Sequence, residues 1–538
     1  MIPVWWLEAH PLCDDQHLVD LITADHRYRH DTEPPTPGDG AVVVCPARYY
    51  TAGQVNDLIR PLPWVVLILT SDEESTFDAG GLNHPNLRLW VMTPRPDRTY
   101  PPGTRFIGEG FNAATRPTLA ATGNLARTID VYLSGQDTHT RRHELFDKLE
   151  STQRGWRKDI TRTPGFMQGH DRAEYLARMA RAKVAPCPSG PATPDSFRLY
   201  EALEAGCVPL ADQTAPGAYP ERSYWDTVYP GAPFQQVAHW HEIEKYVAAE
   251  LAEWPHNANR CSAWWQQTKR RHRLDLLDDV AAVADLPEPP HTVSDMVTVL
   301  MPTSAIPSHP SIDIISETVA SVRDRLPGAE ILIMADGLPA HLARRAVDYA
   351  EYLRRLLWVS NLEWDNVVPF LFDTHTHQVG MTRRILGEVR TPLVLFVEHD
   401  TPLIGDVDWP GCARAVMSGD TNLIRFHHEA SVLEPHKHLM VDEMPRMVEG
   451  VPLLRTVQWS QRPHLAATGA YRNWLDAGWW RESDGMIEDR MFGVVENDWL
   501  QHRDPRRFRL SMYAPSGDIK RSTHLDGRGT DPKVIECE

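Results

Sequence analysis

Two acidic side chains follow an apolar run near residue 400. The run Leu393–Val397 predicts a buried strand, and Glu398-His399-Asp400 comes directly after it. We therefore expect both acids at the carboxyl edge of a sheet. Hard divalent cations such as Mg²⁺ and Mn²⁺ prefer carboxylate oxygens and usually share a substrate phosphate, so this edge could neutralise a departing diphosphate. The alternative is an exposed strand end with two solvated acids.

Two further apolar runs precede this one in the second half of the chain, and an acid follows one of them. A predicted strand over Val297–Met301 ends in Pro302-Thr303-Ser304, and another over Glu330–Ala335 ends in Asp336-Gly337. Two further segments follow: Met486-Ile487-Glu488-Asp489-Arg490 and Thr523-His524-Leu525-Asp526-Gly527-Arg528. In this order the set resembles the GT-A glycosyltransferases of the family 2 type, over about 297–528.

This resemblance implies a role for each of these residues. Asp336 would contact the nucleoside of a nucleotide-sugar, Glu398 would lie near the ribose, and Asp400 would hold Mn²⁺ or Mg²⁺ with His524 completing the metal shell. Asp489 would be the catalytic base of an inverting transfer, with Glu488 beside it. The resemblance also assigns three residues to donor binding: Pro302, Thr303 and Arg384. The chain departs from the family's motif at its first position, where the family has Asp and this chain has Glu398.

Alternatives to these roles come from the same residues. Glu488 and Asp489 also suit the first turn of a helix, where the helix dipole favours acids. Histidine pairs such as His375-Thr376-His377 could instead be ligands of a metal hydrolase. A helix is predicted over Thr382–Val389, and the histidine pair lies in a loop-like stretch before it.

Tryptophans are frequent after residue 450, and their faces pack well on sugar rings. From this segment we predict three acceptor-binding residues: Trp459, Arg462 and Trp480. Ordinary core packing is the alternative for any single tryptophan.

The first half carries a different pattern around residue 195. The segment Ala185–Leu210 predicts a strand, a loop, a helix with Asp195 or Ser196 as its N-cap, a stop at Gly206 and another strand. The amides at such a helix start can hold a diphosphate.

That segment resembles the nucleotide-binding half of GT-B glycosyltransferases, the exostosin-like ones in particular. The resemblance implies that Glu201 binds the ribose and that Ser196 and Arg198 lie near the phosphates. Arg141 and Arg142 could add positive charge there. No metal is expected at this site. The alternative is that Glu201 belongs to an ordinary amphipathic helix.

Alternating strands and helices predict an α/β protein with two Rossmann-like domains followed by a GT-A-like domain. The expected organisation is an acceptor-side domain at 1–127, a nucleotide-sugar-binding domain at 128–284, a Pro-rich linker at 285–296 and the third domain at 297–538.

Composition limits the remaining choices. The 538 residues carry 55 basic and 73 acidic side chains, a net charge of −18, which argues against a nucleic-acid partner. No apolar run is long enough to span a membrane, and seven scattered cysteines without a Cys-x-x-Cys pair indicate a reducing cytoplasm.

Together these features predict a bifunctional glycosyltransferase. It would use nucleotide-sugar donors, with a UDP-sugar expected first, and a glycan or protein acceptor. Three alternatives stay open: a single active module with the other as a platform, a carbohydrate-binding scaffold without catalysis, and a metal hydrolase.

Overall fold

The computed structural model describes residues 1–7, 17–24, 26–36, 38–72, 76–95, 97–163, 165, 168–216, 224–284, 292–428, 432, 434–481, 485–514 and 520–525. The chain forms two compact units. The first contains residues 1–289 with 361–363, and the second contains 290–360 with 364–538. No described helix is long and apolar enough to cross a membrane.

The first unit begins with a parallel sheet. Its elements are β1 (Ile2–Trp6), α1 (His17–Ile22), β2 (Tyr28–Asp31), β3 (Ala41–Pro46), α2 (Ala52–Ile59), β4 (Val65–Thr70), β5 (Leu87–Met92), β6 (Arg105–Ile107) and α3 (Thr115–Thr122). The strands pair in the order β2-β1-β3-β4-β5-β6. Every residue of β3 and β4 is buried, as expected for apolar strands covered on both faces.

A second parallel sheet completes this unit. Its elements are β7 (Ile129–Gln136), α4 (Thr140–Ser151), β8 (Lys158–Thr163), α5 (Arg172–Met179), β9 (Ala182–Cys187), α6 (Phe197–Glu204), β10 (Val208–Asp212), α7 (Tyr224–Val228), β11 (Gln235–Val237), α8 (Ile243–Ala252) and α9 (His256–Val283). The strand order is β11-β10-β9-β7-β8. The predicted glycine stop is confirmed, since Gly206 follows α6 with φ +69°.

Helix α9 belongs to the predicted second domain, 128–284, but it also packs on the sheet of the predicted first domain, 1–127. Its last turns pack on the first sheet, where Leu276 and Val280 join the core that contains Val42. The indole Nε1 of Trp90 in β5 also donates to Asp279 of this helix at 2.9 Å. The segment predicted to end the second domain therefore stabilises the first sheet as well.

The second unit contains a nine-stranded mixed sheet. Its elements are α10 (Val293–Met296), β12 (Val297–Thr303), α11 (Asp313–Arg323), β13 (Glu330–Ala335), α12 (Ala346–Leu362), β14 (Val367–Leu371), α13 (His377–Leu386), β15 (Leu393–Phe396), α14 (Trp409–Met417), β16 (Leu423–Arg425), β17 (Arg446–Val448), β18 (Val451–Thr456), β19 (His464–Ala467), α15 (Thr468–Leu475), α16 (Ile487–His502) and β20 (Leu510–Tyr513). The order is β14-β13-β12-β15-β19-β16-β20-β18-β17.

The first four strands of this order are parallel, and β19 runs antiparallel to both of its neighbours. The carboxyl ends of β12, β13, β14 and β15 therefore share one edge of the sheet. The α/β class with two Rossmann-like parallel sheets is confirmed, together with a mixed third sheet.

The predicted Pro-rich linker lies only in part within the described chain. Residues 285–291 are outside it. Thr292 caps the short helix α10 through its hydroxyl, and the Thr292 backbone N–H donates to the Asp295 carboxylate. Helix α10 runs directly into β12. Residues 293–296 are therefore a helical turn rather than linker.

Candidate functional site

The predicted strand ends of the second unit meet at one edge. The backbone N–H of His399 donates to the Pro302 carbonyl at 3.2 Å, and the N–H of Asp336 donates to the Thr303 carbonyl at 3.0 Å. These bonds continue the ladders between β15, β12 and β13 beyond the strands themselves. The acids that follow β13 and β15 are therefore gathered at the carboxyl edge, as the sequence predicts.

Glu398 is the most strongly perturbed acid of this edge. Its Oε1 accepts a hydrogen bond from Nε2 of Gln378 at 2.8 Å. Burial, and after it the neighbouring charge of Asp400, raises the pKa of Glu398 to about 7, although the Gln378 hydrogen bond and Arg462 oppose the change. Glu488 adds further repulsion. Like charges that gather in this way would be relieved by a bound cation.

Asp400 is joined at this edge by His524, which lies far along the sequence. Nε2 of His524 is 3.4 Å from Oδ2 of Asp400. The backbone holds the two segments together, because the N–H of Leu525 donates to the Asp400 carbonyl at 2.7 Å and the N–H of Thr523 to the Pro402 carbonyl at 3.1 Å. The structure thus brings both predicted metal ligands into contact.

These residues offer an incomplete metal shell. Within the described residues, no group of three or more His, Cys, Asp or Glu side chains is arranged to hold a metal ion. Asp526, Gly527 and Arg528 of the predicted motif lie outside the described chain. Mg²⁺ and Mn²⁺ are commonly held by one or two protein ligands plus phosphate oxygens. Asp400 and His524 fit a cation whose shell is completed by a phosphate-bearing ligand.

The start of α16 lies at the same edge. The backbone N–H of Ile487 donates to Oε1 of Gln378 at 3.1 Å, and Oε2 of Glu488 accepts from the Gln461 N–H at 3.2 Å. Asp489 has an exposed side chain in the first turn. Both acids also occupy the favourable end of the helix dipole. The Glu488 carboxylate is held by the Gln461 N–H, whereas the exposed Asp489 carboxylate is accessible to a bound ligand.

Asp336 is engaged by the protein itself. Its Oδ1 accepts from the N–H groups of Gly337 at 2.9 Å and Thr376 at 2.7 Å, and its Oδ2 accepts from the His377 N–H at 3.1 Å. Nδ1 of His375 is also 2.7 Å from Oδ2. Asp336 is buried and fixes the start of α13, so a nucleoside would have to share this carboxylate with the loop.

The other residues assigned to the donor differ in exposure. Pro302 and Thr303 are buried, and the Thr303 hydroxyl pairs with the Tyr352 hydroxyl at 2.8 Å. They form the edge through their backbone. Arg384 is exposed, with its guanidinium carbon 5.6 Å from the centre of the Phe372 ring just after β14. Of these three, only Arg384 presents a charge to solvent.

The predicted acceptor residues separate into core and surface. Trp459 is 2% exposed and packs edge-on against Trp474 at 5.5 Å, so it belongs to the core and offers no free face to a sugar. This corrects the prediction, which could not distinguish a buried ring from an exposed one. Trp480 is half-buried and donates to the Trp474 carbonyl at 2.7 Å. Arg462 is half-buried and lies close enough to Glu398 to influence its pKa.

A second cluster of polar groups lies in the first unit, at the end of β7. The guanidinium of Arg142 donates to the Ser189 carbonyl at 3.1 Å and to the Gln136 carbonyl at 3.3 Å, and Arg198 donates to the Ser134 carbonyl at 2.5 Å. Neither arginine forms an ion pair with a carboxylate of the described residues. Burial and the charge of Arg198 lower the pKa of Arg142 to about 10.

Several polar atoms beside these arginines have no hydrogen-bond partner among the described residues. They are Nε of Arg198, Oγ of Ser196, Oγ of Ser189 and Nδ1 of His139. Ser189 is fully buried, and Ser196 stands at the N-cap of α6 without making a capping bond. Polar atoms without partners beside two guanidinium groups that form no ion pair with a described carboxylate suit an anion.

Arg141 has a different role from its neighbour Arg142. Its Nε donates to Asp212 at 2.9 Å, and its terminal nitrogen also contacts that fully buried carboxylate. The guanidinium balances a buried charge, and the prediction that Arg141 adds positive charge near the phosphates stays a prediction.

Glu201 is also occupied by protein groups. Its carboxylate accepts from Arg172 at 3.2 Å and from the Tyr175 hydroxyl at 2.8 Å, and the side chain is buried. A ribose would compete with both partners. The prediction that Glu201 contacts a ribose stays a prediction.

Gln378 belongs to the site of the second unit, and sequence reasoning missed it. The predicted helix Thr382–Val389 begins too late, whereas α13 begins at His377 and places Gln378 in its first turn. An isolated glutamine carries no catalytic signal in a sequence. Only the folded chain reveals that both ends of its amide are used.

Comparisons with known proteins find only weak structural similarity. No family model and no curated protein matches the chain. Among solved structures, S. aureus TarS is similar at 14% identity over 43% of this chain and 36% of TarS, with a TM-score of 0.26. TarS 1–349 in complex with UDP-GlcNAc gives 14% identity, 43% and 58% coverage and a TM-score of 0.26. The chain thus spans less than two thirds of either structure, and so weak a likeness carries no argument about this protein.

Proposed function

We propose that the second unit is a metal-dependent glycosyltransferase that takes a sugar from a nucleotide-sugar, a UDP-sugar first among the donors, to a hydroxyl of a glycan or protein acceptor. The observation that carries this proposal is the meeting of Asp400, His524, Glu398 and the start of α16 at one edge. It combines a place for a cation with an accessible carboxylate.

Asp400 and His524 would hold the cation, Mn²⁺ or Mg²⁺. When bound, it would supply positive charge against the departing nucleoside diphosphate. Glu398 would face the ribose from its partly buried position. Arg384 would remain free to contact the donor from the rim of the edge, above Phe372.

Asp489 would act as the base. Its exposed carboxylate can reach an acceptor hydroxyl and accept the proton as the oxygen attacks the sugar. Attack from the face opposite the departing diphosphate inverts the anomeric carbon. Glu488 would hold the turn in place through the Gln461 N–H rather than exchange a proton itself.

For the first unit we propose a second nucleotide-sugar site, of the GT-B type and without a metal, which would make the protein bifunctional. The support is the pair Arg142 and Arg198 with the unpartnered Ser196 hydroxyl. Guanidinium groups can compensate a diphosphate directly. A first unit that only binds the acceptor, and a carbohydrate-binding scaffold, are the alternatives. A cytoplasmic location stays a prediction.

The test is release of nucleoside diphosphate from a panel of sugar nucleotides, with and without Mn²⁺. Turnover that needs Mn²⁺ and disappears in Asp400→Ala supports the site of the second unit. A metal-independent remainder that falls in Arg198→Met supports the site of the first unit. If no variant and no wild-type sample shows turnover or nucleotide binding, the transferase proposal fails.

A further inference from the structure

We propose that Gln378 is a positioning residue of this reaction: its side-chain amide ties the first turn of α16, which carries Asp489, to Glu398 at the edge of the sheet. This inference rests on the proposed function of the second unit. It concerns a residue that touches neither metal nor acceptor and acts through the groups that do.

Both ends of the Gln378 amide are used. Nε2 donates to Oε1 of Glu398 at 2.8 Å, and Oε1 accepts from the backbone N–H of Ile487 at 3.1 Å. The side chain is 5% exposed, so water does not compete freely for either bond. A parallel backbone bond, from the N–H of Val379 to the Gly485 carbonyl at 3.1 Å, joins the same two segments.

The amide also accepts a hydrogen bond from the first turn of α16, which has no side-chain cap of its own. Met486 stands at the N-cap of α16, and its side chain makes no capping hydrogen bond. The first N–H groups of a helix have no partner within the helix, so each needs one from elsewhere. Gln378 supplies that partner to Ile487 from a different helix.

The side-chain amide suits both parts. Glutamine carries a donor and an acceptor on one carbon, whereas glutamate at neutral pH only accepts and methionine does neither well. The bridge therefore fixes the position of Asp489, two residues after Ile487, relative to Glu398, two residues before Asp400. Small misplacements of a reacting group cost rate more than they cost binding.

The experiment compares Gln378→Met with a matched control, Thr382→Val. Thr382 is buried one turn further along α13, and its hydroxyl donates to the Gln378 carbonyl at 2.7 Å. The control thus removes a buried hydrogen bond from the same helix without touching the bridge. Three quantities are measured: amide exchange of the peptide that contains Ile487, kcat with a sugar nucleotide and Mn²⁺, and the Kd for UDP with Mn²⁺.

We expect faster exchange at the start of α16 and a kcat lower by about 10- to 100-fold in Gln378→Met. The UDP Kd should change far less than kcat, since Gln378 does not contact the donor and backbone hydrogen bonds of Val397 and His399 still hold Glu398 at the edge. Thr382→Val should change none of the three. If Gln378→Met does not fold, Gln378→Asn, whose amide is one methylene too short to reach both groups, is expected to show the same split between kcat and Kd.

Unchanged exchange, an unchanged kcat, or a UDP Kd that weakens in step with kcat would each overturn the positioning role. A wild-type protein without turnover would overturn the proposed function and, with it, the catalytic part of this inference. The exchange measurement separates the two failures, because it reports the bridge whether or not the protein transfers a sugar.

Discussion

The two candidate sites carry opposite charges. One lies at the carboxyl edge around β12, β13 and β15, and the other at the carboxyl edge around β7 and β9. Both lie where parallel strands end, which is where open α/β sheets bind ligands. The first gathers Glu398, Asp400 and Glu488, whereas the second gathers Arg142 and Arg198. The acidic edge would bind a phosphate-bearing ligand through a cation, and the basic edge would bind the phosphate directly.

The pKa changes express this contrast. Burial and like charge raise the pKa of Glu398 to about 7 and lower the pKa of Arg142 to about 10. In each case the charged form is disfavoured by its neighbours. Groups perturbed in this way collect at binding and catalytic sites, because a ligand of opposite charge offsets the cost.

The largest effect should come from Asp489. We expect Asp489→Asn to lower kcat of the metal-dependent reaction by about 10²- to 10⁴-fold, because the amide cannot take the acceptor proton. Glu488→Gln should cost less, since that carboxylate already accepts from the Gln461 N–H. Glu496→Gln, two turns further along α16, is the matched control. Steady-state kinetics with saturating Mn²⁺ decide, and an active Asp489→Asn would remove Asp489 as the base.

Arg141 and Arg142 should separate by stability. Removing the Arg141 guanidinium leaves Asp212 charged and fully buried, so Arg141→Met should lower the free energy of unfolding by about 3–5 kcal/mol. Arg142→Met leaves no carboxylate of the described residues unpaired and should change stability far less. Urea denaturation of both variants measures the difference. Equal losses would mean that both arginines serve the fold.

A pH effect is expected beneath the acidic edge. His464 is fully buried between the Arg462 carbonyl and the Tyr471 hydroxyl, and burial lowers the pKa of His464 to about 4. The unfolded chain would bind a proton near pH 6.5, so the free energy of unfolding falls as the pH drops from about 6.5 towards 4.

Replacing this histidine should reduce that dependence. Between pH 7 and 5, His464→Gln should lose about 2 kcal/mol less stability than the wild type, because one protonation of the unfolded state is removed. His438→Gln, which changes an exposed side chain, is the control. Identical pH dependence in wild type and His464→Gln would show that the buried imidazole is not neutral in the folded protein.

The smallest effect concerns the basic edge. Arg142→Met and Arg198→Met should each weaken metal-independent binding of a nucleoside diphosphate by about tenfold, the loss of one charge-assisted hydrogen bond. The metal-dependent turnover should not change. Arg157→Met, which removes an exposed arginine paired with Asp130, provides the control. Affinities equal to wild type in both variants would leave the first unit without a phosphate site.

Sequence reasoning located the edges better than it assigned the residues on them. Apolar runs followed by turn residues or acids predicted where β12, β13 and β15 end, because strand periodicity and turn residues are local signals. Burial and partners are not local. Arg141 and Arg142 are neighbours in sequence, yet one balances Asp212 and the other remains without an acidic partner in the described chain.

The same limit explains Trp459 and Gln378. The type of a tryptophan does not reveal which face is covered, and Trp459 proves to be core. The role of Gln378 depends on two groups that lie 20 and 109 residues away in the chain, Glu398 and Ile487. Such a bridge is set by the packing of α13 against the start of α16 and has no counterpart in a linear pattern.

The most direct test of the central claim is calorimetric titration of UDP into the protein with Mn²⁺ and with a chelator. The account predicts that Mn²⁺ tightens binding by at least about tenfold in wild type and in Asp406→Asn, an exposed acid nearby, and that Asp400→Asn abolishes this gain. Equal UDP affinity with and without Mn²⁺, or an undiminished gain in Asp400→Asn, would contradict a metal-dependent donor site at this edge.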